Sequence, residues 1–136
     1  YPGAELTAMG WEVYPQGLEK VLTIYRDEYN NIPVYITENG CAHDDFPQAN
    51  SKIHDEPRIR YMQAHIAAMQ QARKKNCQVK GYFAWSLMDN FEWAHGYTKR
   101  FGIIYIDYSN TCERRFKSSA LWYRDWIQSQ ASNPIA

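Results

Sequence analysis

The sequence predicts an α/β fold in which helices and short strands alternate along the chain. Three segments carry apolar residues at helical spacing, and two short runs of strand-forming residues lie between them. The resulting order, helix–strand–helix–strand–helix, is the alternation expected where helices cover a parallel sheet. Each predicted strand is followed by a long loop, which in a compact domain usually marks a functional segment.

The first predicted helix follows an irregular segment over residues 1–15. It begins at Pro15, because proline suits the first position of a helix. The apolar residues that recur at helical spacing are Leu18, Val21, Leu22, Tyr25 and Tyr29. Asn30-Asn31 and Pro33 end this helix, and the strand Val34–Thr37 follows directly.

The second predicted helix comes after a polar loop over residues 40–56. Asp55 is predicted to cap it, with Pro57 just inside its start. The apolar face of this helix consists of Ile59, Met62, Ile66 and Met69. The basic run over residues 73–75 is interpreted as a solvated helix end, because cations there complement the helix dipole.

The second strand is predicted at Val79–Trp85, and a second long loop follows over residues 86–100. Residues 101–107 are predicted to form a short extended segment, and residues 108–115 a turn. Ser118 or Ser119 is predicted to cap the last helix. The apolar residues of that helix are Leu121, Trp122, Trp126 and Ile127.

The composition argues against several classes of function. A chain of 136 residues is ordinarily one domain, so residues 1–136 are predicted to form one unit without a second domain. The formal net charge is zero, and lysine and arginine are spread along the chain, which argues against a nucleic-acid partner. Because no apolar run approaches the roughly 18 residues of a membrane helix, we expect no membrane partner, and we expect no secretory signal.

The cysteines and histidines are expected to bind no metal or cofactor. Cys41, Cys77 and Cys112 are widely separated, and no pair has the spacing of a zinc site or a redox motif. Free thiols in a reducing compartment are therefore expected, which predicts a cytoplasmic protein. The four histidines fall in no metal-ligand pattern.

Glu38 is conspicuous because it lies at the exit of a predicted strand. The strand residues up to Ile36 run almost directly into it, and Asn39-Gly40 is a strong turn signal. Burying a carboxylate costs several kcal/mol unless it is paired, so this glutamate needs either a partner or a function. One interpretation is a structural glutamate that caps a loop or pairs with an arginine. The other is a catalytic group, because the C-terminal ends of strands in parallel barrels face the active site.

Glu38 belongs to a set of motifs that occur in a fixed order along the chain. They are Met9-Gly10-Trp11-Glu12-Val13-Tyr14-Pro15, Tyr35-Ile36-Thr37-Glu38-Asn39-Gly40, Gly81-Tyr82-Phe83-Ala84-Trp85-Ser86-Leu87-Met88-Asp89-Asn90-Phe91-Glu92-Trp93, Gly96-Tyr97 and Arg100-Phe101-Gly102. This set resembles the family-1 glycoside hydrolases, the retaining β-glucosidase and β-galactosidase family. The resemblance covers nearly the whole chain but only the last third of such an enzyme. It implies a fragment of a (β/α)8 TIM barrel, about the last two strand–helix units, or a quarter barrel.

The resemblance implies that Glu38 is a catalytic residue and that the second catalytic carboxyl group is not in this chain. Retaining hydrolysis needs two carboxyl groups about 5–5.5 Å apart, a nucleophile and an acid/base. By its motif, Glu38 is the nucleophile that forms a glycosyl-enzyme. The acid/base glutamate should lie in an Asn-Glu-Pro motif, which occurs nowhere in this chain, and the nearest form, Asp55-Glu56-Pro57, lies at a predicted helix start. The isolated chain is therefore expected to be inactive or very feeble.

The resemblance also implies a sugar-binding group. Trp85 is expected to stack under the sugar, Glu92 to accept hydrogen bonds from its 4- and 6-hydroxyls, and Trp93 to border the same subsite. Phe101 resembles a residue that lines this pocket. Trp85 and Phe101 are alternatively core residues, and Glu92 a helix cap or a salt-bridge residue. The intact Glu92-Trp93 pair resembles the members that act on neutral sugars, so a β-glucoside or a related β-glycoside is the expected substrate.

The chain as a whole is open to three functional interpretations. The first is an enzyme segment that needs the missing N-terminal part of a β-glucosidase as its partner. The second is a catalytically inactive module that self-associates into an oligomer through open sheet edges and apolar faces and keeps part of the sugar subsite. The third is an aromatic-rich interaction surface, because the chain contains 5 Trp and 11 Tyr.

Overall fold

The computed structural model describes residues 3–49, 52–109 and 111–132. Within these ranges, the helices are α1 (Pro15–Glu28), α2 (Glu56–Lys74) and α3 (Ser118–Ser132). The strands are β1 (Val34–Asn39), β2 (Val79–Ala84), β3 (Ile104–Ile106) and β4 (Arg114–Phe116). The predicted alternation of three helices with β1 and β2 is confirmed. None of the helices in these ranges is long and apolar enough to cross a membrane.

The strands β1 and β2 pair in parallel, and the helices pack on one face of this sheet. The buried core on that face consists of Leu22, Ile66, Met69, Ala72, Cys77 and Val79, with Val34, Ile36 and Tyr82 packed against it. A large aliphatic side chain contributes about 1.5–3 kcal/mol when it is fully buried, so this cluster is the main source of stability. Tyr35 and Phe83 belong to the opposite face and are 61% and 56% exposed. The sheet therefore presents an open apolar face.

A β-bulge interrupts the register at the C-terminal end of β1. Ile36 pairs with Tyr82, and Asn39 pairs with Ala84, so two residues of β1 stand against one residue of β2. The two bulged residues are Thr37 and Glu38, and the strand continues through Asn39, two residues beyond the predicted end. A bulge of this kind reverses which face of the sheet each following side chain points to.

The prediction for residues 101–115 is wrong in two details. Only residues 104–106 form a strand, and Ile103 just before it donates its backbone N–H to the carbonyl oxygen of Ser86, in the loop after β2, at 2.9 Å. The predicted turn contains the start of β4, which pairs antiparallel with β3. The polar sequence of β4 carries no alternating apolar pattern, so its pairing with β3 was not visible in the sequence.

Asp55 precedes α2 as predicted, but its side chain does not cap that helix. Its carboxylate accepts hydrogen bonds from the backbone N–H of Ser119 at 2.8 Å and from the Ser119 hydroxyl at 2.5 Å, in the first turn of α3. It also pairs with Arg58. A carboxylate is favourable at a helix N-terminus, and Asp55 provides that stabilisation to a helix 64 residues away rather than to its own.

Candidate active site

The β-bulge turns Glu38 onto the open face of the sheet. In regular alternation, residue 38 would share the helix-covered face with Val34 and Ile36. Because the bulge adds one residue, Thr37 and Glu38 are both exposed, and Asn39 points back toward the helices. The glutamate has no hydrogen-bond or ion-pair partner among the described residues. Its carboxylate is therefore accessible at the C-terminal end of a parallel strand.

The residues after Glu38 are fixed to Trp85 at the end of β2. The backbone N–H of Trp85 donates to the carbonyl oxygen of Asn39 at 2.9 Å. A Cβ atom on Gly40 would lie 1.6 Å from the carbonyl oxygen of Trp85, so only glycine fits there. Trp85 is 37% exposed, and its peptide bond to Ser86 is cis. The structure thus brings Glu38 and Trp85 to the same end of the sheet.

The side chain of Asn39 is held between the sheet and the helices by two tyrosines. The hydroxyl of Tyr82 donates to Asn39 Oδ1 at 2.8 Å, and Asn39 Nδ2–H donates to the hydroxyl oxygen of Tyr61 at 3.4 Å. Burial raises the pKa of Tyr61 to about 12 and also raises the pKa of Tyr82. Both phenols are therefore protonated near neutral pH, and Tyr82 remains a donor to Asn39.

Glu92 and Trp93 lie in a tight turn within the loop after β2. The backbone N–H of Glu92 donates to the carbonyl oxygen of Gly96 at 2.7 Å, and a short 3-10 turn begins at Trp93. Glu92 is half-buried, whereas Trp93 is 81% exposed. The carboxylate and the indole are therefore both accessible to a ligand.

An aromatic stack supports this turn. The ring centroids of Phe91 and Tyr97 are 5.6 Å apart in an edge-to-face arrangement, and Tyr97 packs on Tyr108 at 4.2 Å. Edge-to-face and tilted pairs of this kind each contribute about 0.5–1.5 kcal/mol beyond their buried area. The stack holds the two ends of the turn together without using the side chains of Glu92 or Trp93.

Phe101 is buried in this chain. Its side chain is 3% exposed, and the ring of Trp11 lies 6.0 Å from it, tilted by 48°. The structure therefore places Phe101 among packed residues, in agreement with the core alternative. Its role as a pocket-lining residue stays a prediction.

Six buried charged side chains form a network that joins the two long loops. They are Asp45, Asp55, Asp89, Arg58, Arg100 and Lys117. Lys117 Nζ lies 2.9 Å from a carboxylate oxygen of Asp45 and 2.9 Å from one of Asp89. Arg58 lies 2.5 Å from Asp45, and Arg100 lies 2.6 Å from Asp89. Three acidic and three basic groups balance, so each buried charge has a partner that offsets its desolvation.

The network fixes the loop that carries Glu92 and Trp93. Asp89 lies just before this turn, and its carboxylate also accepts from the backbone N–H of Gly102 at 3.0 Å. Arg100 closes the far end of the same loop. Burial lowers the pKa of Lys117, and the neighbouring carboxylates of Asp45 and Asp89 oppose that shift.

Neither this network nor the hydrogen bonds between the side chain of Asn39 and the two tyrosines were predicted from the sequence. Most of the charged residues come from distant segments; only Asp55 and Arg58 are three residues apart. The signal that was available is a charge beside a bulky apolar residue, such as Asp89 after Met88 or Lys117 after Phe116. Such a charge is buried only when it has a partner, and the sequence does not name the partner.

The described residues contain no group of three or more His, Cys, Asp or Glu side chains placed to hold a metal ion. The three cysteines are free; Cys41 and Cys77 are buried, and Cys112 is exposed. Burial raises the pKa of the Cys41 thiol to about 12, so it stays protonated and unreactive near neutral pH.

The family profile of glycosyl hydrolase family 1 matches residues 2–132 of this chain. The match spans nearly the whole sequence, and the chain therefore belongs to glycosyl hydrolase family 1.

The chain is similar to β-glucosidases from bacteria and plants. It is 50% identical to beta-glucosidase A of Thermotoga maritima over 90% of its own length and 27% of that protein. It is 51% identical to the 1,4-beta-D-glucan glucohydrolase of Thermotoga neapolitana over 90% of its length and 28% of that protein. Beta-glucosidase 31 of Arabidopsis thaliana is 45% identical over 85% of this chain and 22% of the plant protein. The chain therefore spans about a quarter of the length of these relatives.

The fold is similar to that of solved TIM-barrel β-glucosidases. The structure of the Thermotoga maritima β-glucosidase in complex with glucoimidazole matches with a TM-score of 0.91 and 48% sequence identity. The superposition covers 94% of this chain and 29% of that enzyme. This chain is thus a small α/β structure that corresponds to part of a (β/α)8-barrel enzyme.

Proposed function

We propose that this chain is the nucleophile-bearing C-terminal segment of a retaining β-glucosidase that hydrolyses terminal β-D-glucosides. It corresponds to about the last two strand–helix units of a (β/α)8 barrel, a quarter of the whole. Membership of glycosyl hydrolase family 1 and the coverage of about a quarter of its β-glucosidase relatives support this proposal.

The observation that carries the proposal is the position of Glu38. The carboxylate is exposed at the C-terminal end of a parallel strand, the end at which barrel enzymes build their active sites. One Oε atom attacks the anomeric carbon, the bond from that carbon to the leaving oxygen breaks, and the electron pair goes to that oxygen. Water then attacks the same carbon and gives a proton to the acid/base carboxylate. The bond to Glu38 breaks, its electron pair returns to the Glu38 carboxylate, and the sugar leaves with net retention.

Four further side chains are assigned to the sugar subsite. Trp85, next to Glu38 across the two strands, offers an aromatic face for the sugar ring. Glu92 can accept hydrogen bonds from two adjacent hydroxyls, and charge-assisted bonds of this kind are roughly twice as strong as neutral ones. Trp93 borders the same subsite, and Phe101 supports its floor.

The acid/base of this reaction comes from the part of the barrel that this chain does not match. No Asn-Glu-Pro motif occurs in the sequence. Positioned acid–base catalysis contributes roughly 10²–10⁴-fold, so the chain alone is expected to be inactive toward substrates whose leaving group needs protonation. Its partner in catalysis is the N-terminal barrel portion, and a cytoplasmic location is part of the same proposal.

The test compares two aryl β-glucosides, one with a strongly activated phenolate and one with a poor leaving group. Both the chain alone and a hybrid enzyme are assayed; the hybrid joins this chain to the part of the Thermotoga maritima β-glucosidase that the chain does not match. We expect the hybrid to cleave both substrates and the chain alone to cleave neither, or the activated one only. An activated phenolate leaves without protonation, so that substrate tests Glu38 apart from the acid.

The control is Glu38→Gln in the hybrid, which keeps the size of the side chain and removes the nucleophile. Loss of cleavage of both substrates in this variant supports the proposal. A Glu38→Gln hybrid as active as its parent contradicts it.

The open sheet face favours a second candidate, an inactive quarter-barrel module that self-associates. Tyr35, Phe83 and Leu87 are each more than half exposed, and large exposed apolar areas usually mark an interface. Copies would join through the unpaired edges of β1 and β2. A concentration-dependent oligomer in light scattering, with no cleavage by the hybrid, supports this candidate; a monomer with Glu38-dependent cleavage in the hybrid contradicts it.

A further inference from the structure

The exposure of Glu38 depends on one extra residue in β1. The sheet pairs Ile36 with Tyr82 and Asn39 with Ala84, which leaves two bulged residues opposite one. Without the bulge, regular alternation would put Glu38 on the helix-covered face. A one-residue slip in this register therefore changes which face the carboxylate points to.

Asn39 is the residue that closes the bulge, and three hydrogen bonds hold it. Its carbonyl oxygen accepts from the backbone N–H of Trp85 at 2.9 Å. Its side-chain Oδ1 accepts from the hydroxyl of Tyr82 at 2.8 Å, and its Nδ2–H donates to the hydroxyl oxygen of Tyr61 at 3.4 Å. The shorter of the two side-chain bonds is the one to Tyr82.

Tyr82 is itself a fixed anchor. Its ring packs against the buried core cluster on the helix-covered face. The hydroxyl of Tyr123 donates to the backbone carbonyl oxygen of Tyr82 at 3.2 Å, and the two rings meet edge to face at 6.4 Å. The Tyr82 hydroxyl therefore presents its proton to Asn39 from a side chain that has little freedom to move.

We propose that Tyr82 and Asn39 are positioning residues for the nucleophile: their side-chain hydrogen bond locks the β-bulge that aims the Glu38 carboxylate at the open face. This inference rests on the proposed role of Glu38 in glycoside hydrolysis. Neither Tyr82 nor Asn39 is assigned a contact with the sugar; both act through the backbone of residues 37–39.

Loss of the lock has a specific expected consequence. When Oδ1 of Asn39 loses its donor, the bulge can relax toward regular pairing, and the fraction of molecules with a correctly aimed Glu38 falls. Bond formation to the anomeric carbon depends steeply on the placement of the attacking atom. Sugar binding depends on Trp85, Glu92 and Trp93, so the affinity for substrate should change little.

The experiment measures phenolate release by the hybrid enzyme in a stopped-flow instrument with the activated aryl β-glucoside. Tyr82→Phe removes only the hydroxyl that binds Asn39. We expect its burst rate constant at saturating substrate to fall about tenfold, the effect of one lost hydrogen bond and a displaced nucleophile. The substrate concentration that gives half of the maximal burst rate should stay within about twofold of the parent value, because binding is retained.

Two further variants give the matched comparison. Tyr61→Phe removes the longer of the two bonds and should lower the burst rate less than Tyr82→Phe does. Tyr123→Phe removes the bond to the backbone carbonyl of Tyr82 but keeps the ring contact and the bond between the Tyr82 hydroxyl and Asn39, so its burst rate should fall least of the three. The burst rate constant should therefore be lowest in Tyr82→Phe, intermediate in Tyr61→Phe and highest in Tyr123→Phe. A general loss of stability would not give this order, because it would affect binding as well as rate.

The outcomes test the positioning role and the proposed function separately. Suppose that the hybrid shows Glu38-dependent cleavage. The positioning role alone is then overturned if Tyr82→Phe keeps the parent burst rate, or if Tyr82→Phe and Tyr123→Phe both lose rate and affinity. A hybrid without Glu38-dependent cleavage overturns the proposed function, and the positioning role with it. If urea unfolding shows that Tyr82→Phe does not fold, Tyr61→Phe decides: a reduced burst rate at unchanged affinity supports the lock, and the parent rate overturns it.

Discussion

Glu38 shows how much a single backbone irregularity can decide at the scale of one residue. The sequence places a carboxylate at the end of an apolar strand, where burial without a partner would be costly. The bulge resolves this conflict by turning Glu38 outward and turning the amide of Asn39 inward, where Tyr82 and Tyr61 satisfy it. The same local change that exposes the Glu38 carboxylate therefore gives the polar residue beside it two partners.

Gly40 is the second residue on which this corner depends. Its Cα approaches Trp85 so closely that an added Cβ would lie 1.6 Å from a backbone oxygen, which cannot move aside as a flexible side chain can. We expect Gly40→Ala to lower the free energy of unfolding by about 3 kcal/mol or more, because it overpacks a rigid contact. Urea unfolding followed by tryptophan fluorescence measures this change.

Gly17→Ala is the matched control, because its Cβ would meet only the exposed ring of Tyr14 at 2.8 Å. That ring can rotate away, and alanine is favoured in the interior of α1, so the free energy of unfolding should change by no more than about 1 kcal/mol. Equal losses in the two glycine variants would show that the approach of Gly40 to Trp85 is not tight.

At the scale of elements, the buried charge network joins the two long loops, in addition to the apolar packing of Cys41, Ala42 and Ile53. The carboxylate of Asp89 lies 2.6 Å from Arg100 and 2.9 Å from Lys117, and it accepts a hydrogen bond from the backbone N–H of Gly102 at 3.0 Å. The network joins the loop after β1 to the loop after β2. The turn at Glu92, which is proposed to bind the sugar, lies between Asp89 and Arg100 and is held in place by this arrangement.

Asp89→Asn tests the network directly. The amide keeps the shape of the side chain but leaves the buried cations of Arg100 and Lys117 with one negative charge fewer. We expect the free energy of unfolding to fall by about 3–5 kcal/mol, the usual cost of breaking a buried ion pair by removing one partner. Urea unfolding gives the free energy, and amide hydrogen exchange at Gly102 shows whether the loop loosens.

The control for this prediction is Glu113→Gln, which breaks a surface pair with Arg115 at 2.7 Å. Exposed ion pairs are screened by solvent, so this variant should be as stable as the parent. If Asp89→Asn is no less stable than Glu113→Gln, the network does not hold the loops.

The element order could be predicted from the sequence, and the contacts between elements could not. Apolar periodicity and turn signals identified α1, α2, α3, β1 and β2, because these depend on residues close together in the chain. The bulge depends on the register between β1 and β2, and a single strand does not encode it. The cap that Asp55 gives to Ser119 joins residues 64 apart, and local capping rules assign such a residue to the nearest helix.

The candidate site residues could be predicted from the sequence, whereas the contacts that hold them could not. The motif around residues 35–40 drew attention to Glu38, and the motif over residues 81–93 drew attention to Trp85, Glu92 and Trp93. Asp89 and Arg100, which hold this loop, also lie within the motifs, but nothing in either motif indicates that their side chains pair.

At the scale of the whole molecule, the described residues form a parallel pair, β1–β2, with helices on one face and exposed aromatic residues on the other, and a small antiparallel pair, β3–β4. Its relatives are more than three times as long, and their barrel fold gives both faces of such a strand pair a covering. The exposed face of this chain is the surface expected to meet the remainder of the barrel. The same surface is the one through which copies of the chain would associate.

Phe83→Asp tests that surface. The side chain is 56% exposed at the open face, so an aspartate there should leave the fold intact while weakening any apolar association. We expect less binding of a hydrophobic dye and less oligomer in light scattering at equal concentration. Phe116→Asp, at an exposed position of β4 outside the open face, is the control and should leave both readouts at the parent values.

The most direct test of the account is to trap the covalent intermediate on the hybrid enzyme. A 2-deoxy-2-fluoro-β-glucoside with an activated leaving group forms the glycosyl-enzyme faster than water removes it, because the fluorine disfavours the oxocarbenium-like transition state of both steps and the leaving group assists only the first. Mass spectrometry of the digested protein then locates the sugar. If Glu38 is the nucleophile, one fluoroglucosyl group should lie on the peptide that contains Glu38, and none should be found in the Glu38→Gln variant. A stable label on any other carboxylate, or an unlabelled Glu38 in a hybrid that turns over β-glucosides, would contradict it.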